Sequence, residues 1–267
     1  MTFDWTDVDK TAREAERAGG IVGLAVAWYG AIVCERYGHR RFRAASTVKI
    51  PIMVELFRQV DAGMLRLDDR RRLRDEDRTP GSGVLQYLHT GVDLTLDDLC
   101  TLMIAISDNT ATNVLLDLVG MDRAQATMRS LGMTEWELGR RMLGRRPEQH
   151  EGENWATPLD YAKALAAVVG GTAASPAGCE RMVTMLERQD GTRRVTRYAP
   201  EGVRWGSKSG TLPGVTNDVG FVLSPRGSLV VSAFCEDLPS EEDAEHAIAE
   251  IARSAMIAAG MLLPANT

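Results

Sequence analysis

Two apolar runs near the start of the chain, residues 21–29 and 31–37, flank Gly30 and predict a β-hairpin of two antiparallel strands. An amphipathic segment over residues 8–18 precedes them and predicts a helix. From Ser46 to about Arg188 the pattern changes period. Met53, Leu56, Phe57 and Val60 recur at helical spacing, as do Leu96, Leu99 and Met103 behind the capping pattern Thr95-x-x-Asp98. Further on, residues 203–205, 215–223 and 228–235 read as strands separated by turns containing Gly and Pro, and residues 240–260 as a final helix. The order is helix, two strands, many helices, three strands, helix. It predicts an α+β fold in which a five-stranded antiparallel sheet, drawn from both chain ends, is flanked by the N- and C-terminal helices. On this reading residues 1–45 and 191–267 form a discontinuous sheet domain and residues 46–190 an inserted all-helical domain. The cleft between two such parts is where a small-molecule site is expected.

Composition narrows the function classes. With 44% hydrophobic and 25% charged residues in 267, the chain has the balance of an ordinary globular protein folded throughout. A net charge of −6 argues against general nucleic-acid binding, which needs a clustered excess of Lys and Arg. The one dense basic stretch, residues 70–74, is flanked by acids and reads as a solvated helix or loop face. Gly23 and Gly30 break one long apolar run and Arg253 the other, so no membrane span is expected. The beginning at Met1 lacks the basic and apolar regions of an export signal, which leads to the expectation of a cytoplasmic protein unless a leader has been removed. Cys34, Cys100, Cys179 and Cys235 are scattered without Cys-x-x-Cys spacing and read as reduced, mostly buried thiols. The four histidines, His89 among them, are equally dispersed, so neither a metal nor another cofactor is assigned.

Three short motifs carry chemistry: Ser46-Thr-Val-Lys49, Ser107-Asp-Asn109 and Lys208-Ser-Gly210. Each alone is weak, since a Ser-x-x-Lys arises about once by chance in a chain this long. Joint placement carries more. The first opens the helical segment, the second follows a helix end, and the third sits at the end of a predicted strand. One helical turn brings Lys49 to the Ser46 hydroxyl. An alcohol is a poor nucleophile until a neighbour accepts its proton, and an amine can do so only if held neutral. Burial and a second cation, for which Lys208 is the candidate, push a lysine that way. N–H groups at a helix start favour negative charge on a reacting oxygen nearby, and Pro51 is tolerated best in a first turn, which places that start close to Ser46.

With these motifs the chain resembles the class A β-lactamase-like serine hydrolases of the penicillin-binding-protein superfamily over essentially its whole length. Gly81-Ser-Gly-Val-Leu, Ser107-Asp-Asn-Thr-Ala-Thr-Asn113 and the run from Lys208 to Gly220 belong to the same likeness. The resemblance implies that Ser46 is the nucleophile, that Ser107 relays a proton to the leaving nitrogen, and that Asn109 binds the substrate amide. It implies that Lys208 and Ser209 hold a substrate carboxylate, and that the N–H groups of Ser46 and Thr211 form the oxyanion hole. Asp108 and Asp218 read as structural hydrogen-bond acceptors beside turns.

Two departures stand out. Some relatives bridge the positions occupied here by Cys100 and Met53, and that disulfide cannot form. Class A enzymes carry a deacylating Glu in an Ω-loop pattern Glu-x-x-x-Asn ahead of a Thr-Pro pair. Thr157-Pro158 is present, but His150 stands four residues before Asn154. Glu148, Glu151 and Glu153 are close by and read as a solvated polar loop. The resemblance therefore implies a hydrolase that forms an acyl-enzyme with β-lactams or related amides and esters, with deacylation slowed. An esterase or peptidase of unknown acyl substrate is the alternative enzyme, and a penicillin-binding receptor that stays acylated is the non-enzymatic one.

Overall fold

The computed structural model describes residues 3–191 and 193–263. Helix α1 (Thr6–Glu16) leads into strands β1 (Ile21–Trp28) and β2 (Ala31–Arg36), joined at Tyr29 and Gly30, whose φ values of 49° and 79° make the left-handed two-residue turn of a tight hairpin. A short strand β3 (Phe42–Arg43) precedes α2 (Lys49–Asp61), and β4 (Arg70–Arg72) pairs with β5 (Asp93–Thr95). There follow α3 (Leu96–Ala105), α4 (Asn109–Val119), α5 (Met121–Ser130), β6 (Glu137–Leu138), β7 (Asn154–Ala156), α6 (Pro158–Val169) and α7 (Pro176–Leu186). The chain ends with β8 (Arg204–Leu212), β9 (Val215–Ser224), β10 (Gly227–Glu236) and α8 (Glu241–Ala258).

The main sheet is antiparallel with strand order β2-β1-β10-β9-β8, so both chain ends contribute and β8 forms one edge. Side-chain size along β1 explains how its two faces are covered. Val22, Leu24, Val26 and Trp28 point to one side, where with Leu229, Val231 and Cys235 they pack on α1 and α8. Positions 23, 25 and 27 hold only Gly and Ala. A Cβ at Gly23 would meet the Phe42 ring at 2.5 Å and Pro158 at 3.0 Å, so small residues let the helical segment come close. The terminal helices thus cover one face only. The second face is covered by α6, with Tyr161 stacked edge-on against Phe234 at 5.7 Å.

That second face is continuous with the core of the helical segment, at whose centre α2 is buried on nearly every side from Lys49 to Phe57. The dense arginine stretch, residues 70–74, is strand over its first three residues and loop only at 73 and 74. Arg70–Arg72 is an exposed strand, and Arg70 is held by the Asp93 carboxylate at 2.7 Å. A three-residue strand is too short to display a period. The four cysteines are unpaired; Cys100, Cys179 and Cys235 are buried and Cys34 half-buried. Among the described residues no helix is long and apolar enough to cross a membrane, and no cluster of His, Cys, Asp or Glu could hold a metal ion.

Candidate active site

Ser46 lies in a single 3₁₀ turn, Ala45–Val48, that runs directly into α2. The α-helix proper begins at Lys49, three residues later than the nucleophile, and Pro51 occupies its first turn, where no intrahelical N–H bond is lost. The backbone ahead of Ser46 is fastened from several sides. Ala44 N donates to Asn154 O at 2.8 Å. Asn217 Nδ2 donates to Arg43 O at 2.9 Å, and Thr47 Oγ1 to Ala44 O at 2.7 Å. Ala45 is held at φ 48° and Ser107 at φ 59°, a region that residues with a Cβ rarely adopt. Both strained residues sit beside the groups with catalytic potential. Gly210 of β8 permits the closest approach, since a Cβ there would stand 2.8 Å from Ser46 N.

The second motif is placed by its middle residue. Asp108 caps α4 by accepting from Ala111 N at 2.9 Å, and its other oxygen accepts from Val84 N at 2.7 Å and Leu85 N at 2.9 Å. It thereby binds the Gly81–Leu85 segment to the Ser107 turn. Gly83, at φ 103°, is required there, because a Cβ would fall 2.3 Å from that carboxylate.

Lys49 is fully buried, and its Nζ donates to Ser107 O at 2.6 Å and to Asn109 Oδ1 at 3.0 Å. The amide orientation follows from the network, as Asn109 Nδ2 donates to Pro80 O at 3.0 Å. The same Nζ stands 3.1 Å from Ser46 Oγ and 2.8 Å from Ser107 Oγ. Burial, reinforced by the nearby Lys208 cation, holds the Lys49 ammonium well below the ordinary lysine range. A neutral amine has two N–H groups and one lone pair. The two partners that can only accept take the N–H groups, which leaves the lone pair facing the two serine hydroxyls.

Lys208 is buried in the middle of β8 and not at a strand end, because the strand continues through its motif to Leu212. Its Nζ donates to Gln189 Oε1 at 3.1 Å and Ser209 O at 2.9 Å. Burial, with Arg194 adding to it and Asp218 opposing it, brings this amine down to about 7. Burial also raises the Asp218 carboxyl, which accepts from Val195 N at 3.0 Å. Gln189 and Arg194 were missed by motif reading, since each acts from a loop. The Gln189 amide oxygen also accepts from Ser209 N at 2.6 Å. Arg194 donates to Asn217 O at 2.9 Å and Thr211 Oγ1 at 2.8 Å, tying β8 to β9 behind the cleft.

In front of these groups lies a cleft of about 310 Å³. Ser46, Asn109 and Thr211 line it, together with Ser82, Leu212 and Pro213 and the loop residues Arg140, Met142, Leu143, Arg145, Arg146 and Asn154. Lys49 and Lys208 lie buried beneath it, and Ser107 and Ser209 are half-buried. The candidate bases of the loop stand apart from the lining. Glu151 is locked to Arg145 at 2.7 Å, and that bond with a second from Glu148 N holds its carboxyl down at about 2. Glu153 pairs with Arg140 at 2.8 Å. His150 and Glu148, both largely exposed, face each other at 3.7 Å.

The structure thus brings together a serine in the turn that leads into α2, a buried lysine beside it and a second buried lysine on the adjacent edge strand. The profile of the β-lactamase enzyme family matches residues 13–258. A β-lactamase of Mycobacterium tuberculosis is 30% identical over 265 residues, 95% of this chain and 85% of that protein. β-Lactamase BRO-1 of Moraxella catarrhalis is 25% identical over 71% of this chain, and the match spans 62% of its own length. The crystal structure of a β-lactamase from Sphaerobacter thermophilus superposes with a TM-score of 0.94 at 51% identity, covering 98% of this chain and all (100%) of that one. A PBP-A variant in an acyl-enzyme complex with penicillin G superposes with a TM-score of 0.84 at 26% identity, covering 96% and 97% of the two chains. The chain belongs to the β-lactamase enzyme family.

Proposed function

We propose that this protein forms an acyl-enzyme on Ser46 with β-lactams or related amides and esters, and hydrolyses it slowly. The observation that carries the reading is the Lys49 amine, fully buried, with its N–H groups taken by Ser107 O and Asn109 Oδ1 and its free pair turned to the Ser46 and Ser107 hydroxyls. The reaction runs in the cleft between the part built from residues 1–45 with 191–267 and the part built from 46–190. Lys49 takes the Ser46 proton as Oγ attacks the carbonyl carbon, and the oxyanion is met by the N–H groups of Ser46 and Thr211. The proton returns through the Ser107 hydroxyl to the leaving nitrogen as the C–N bond breaks. Asn109 has a second amide N–H free for the substrate carbonyl, since only one goes to Pro80 O. Lys208 and Ser209 hold the substrate carboxylate. The acyl-enzyme of the PBP-A variant with penicillin G supports the same chemistry on a similar fold. A fluorescent penicillin should leave a label that survives denaturation; a protein that stays unlabelled at saturating probe contradicts the reading.

Burial brings the Lys208 amine down to about 7, and a carboxylate arriving beside it favours the charged form. Lys208→Ala is expected to lower kcat/KM about tenfold or more for carboxylate-bearing substrates, and far less for neutral esters. Parallel assays with a penicillin and an uncharged thioester read the difference, and equal losses would remove this role.

Gly210→Ala forces β8 away from the Ser46 turn by a few tenths of an ångström, because the new Cβ meets Ser46 N at 2.8 Å. Acylation is expected to slow by roughly tenfold to a hundredfold, since geometry at the reacting centre is costly to disturb. Stopped-flow acylation alongside a melting curve separates this from simple loss of the fold.

A further inference from the structure

Among the described residues three ionisable side chains line the cleft, Arg140, Arg145 and Arg146, and no carboxylate does. Two of these cations are compensated from outside the lining, Arg140 by Glu153 at 2.8 Å and Arg145 by Glu151 at 2.7 Å. Arg146, exposed on the same wall, makes no ion pair among the described residues. Apolar side chains share the lining with it: Met142 and Leu143 from the loop, Leu212 at the end of β8 and Pro213 just past it.

Direction along β8 tells which end of a substrate meets this wall. Lys208 and Ser209, which in the acyl-transfer reading hold the carboxylate beside the leaving nitrogen, precede Thr211 at the scissile carbonyl. Leu212 and Pro213 come after it. A group on the acyl side of the carbonyl therefore extends towards Leu212, Pro213 and the Arg140–Arg146 loop.

We propose that the acyl-side subsite selects anionic substituents, with Arg146 pairing a carboxylate carried on an apolar or aromatic acyl group that rests on Met142, Leu143 and Pro213. The subsite rests on the Ser46 acyl-transfer reading and names the substrate class within it. Guanidinium and carboxylate form the preferred bidentate pair, and at a half-open cleft rim that pair is worth a modest preference.

Three penicillins that share one nucleus test this: benzyl (neutral), α-carboxybenzyl (anionic) and α-aminobenzyl (cationic). The second-order acylation rate constant of Ser46 is measured for each. The parent is expected to favour the carboxybenzyl over the aminobenzyl compound by on the order of five- to tenfold in dilute buffer, the gap narrowing as salt shortens the screening length. Arg146→Ala should collapse that ratio towards one, Arg146→Lys should keep part of it, and Arg146→Glu should invert it. A ratio unchanged in both Arg146→Ala and Arg146→Glu overturns the subsite. Acylation by none of the three in the parent sinks the acyl-transfer reading itself, a distinct outcome that takes the subsite with it.

Discussion

Mixing the protein with a good β-lactam is expected to give a burst of about one equivalent of ring-opened product, followed by a slow steady phase in which the acyl-enzyme is the main species. Hydrolysis of the ester needs a water deprotonated within hydrogen-bond reach of it, and a positioned base accelerates that step about a hundred- to ten-thousand-fold. The cleft wall nearest the loop offers Met142, Leu143 and three arginines, none of which is such a base. Two loop carboxylates are engaged elsewhere, Glu151 with Arg145 and Glu153 with Arg140, and the third, Glu148, is exposed beside His150 and outside the lining. Substituting Glu148, His150, Glu151 or Glu153 singly is therefore expected to leave the slow phase within about twofold. Rapid turnover without a burst would contradict this, and Lys49 would then be the first group to suspect of activating the water.

Lys49→Met is expected to lower the acylation rate on the order of a thousandfold, within the range that a positioned base supplies. Stability should respond with a defined sign. The buried amine loses its proton at a pH well below that of an unfolded lysine near 10.4. Between those two values the unfolded chain binds one more proton than the folded one, so the contribution of Lys49 to stability rises with pH. Below the folded value both states are protonated and the full cost of burying the cation is present. The parent should thus gain on Lys49→Met as pH climbs towards 10, which denaturant titrations at a series of pH values will read. A constant difference between the two proteins across that range would mean that the Lys49 ammonium is not depressed.

Much of the fold and of the site was legible in the chain, for reasons that differ by element. Strands β1, β9 and β10 carry largely apolar patterns bounded by Gly and Pro turns, whereas the polar β8 shows only its first residues, and α3 announces its own start through Thr95 and Asp98, whose reciprocal bonds form a capping box. Ser46, Lys49, Ser107 and Asn109 are legible because their spacing is tied to a turn of helix or to a helix end, and Lys208 through its Lys-Ser-Gly motif beside a predicted strand. The structure brings the first four together around one nitrogen. The two- and three-residue strands β3 to β7 are too short to show a period. Gln189, Arg194 and Asn217 act through contacts between residues far apart in sequence, for which spacing holds no signal. The covering of the second sheet face by α6 was written in Gly23, Ala25 and Ala27, but small residues reveal close packing only once the partner is known. The loop carboxylates were visible as residues, whereas their capture by Arg140 and Arg145 depended on the path of the loop.

The most direct test of the account is a time course of intact-protein mass spectra after mixing with benzylpenicillin, with peptide mapping of the adduct and Ser46→Ala run beside the parent. The expected result is one acyl group per chain, localised to Ser46, persisting while product accumulates slowly, and absent from Ser46→Ala. An equal adduct on Ser46→Ala, or an adduct mapped to another residue, would contradict it.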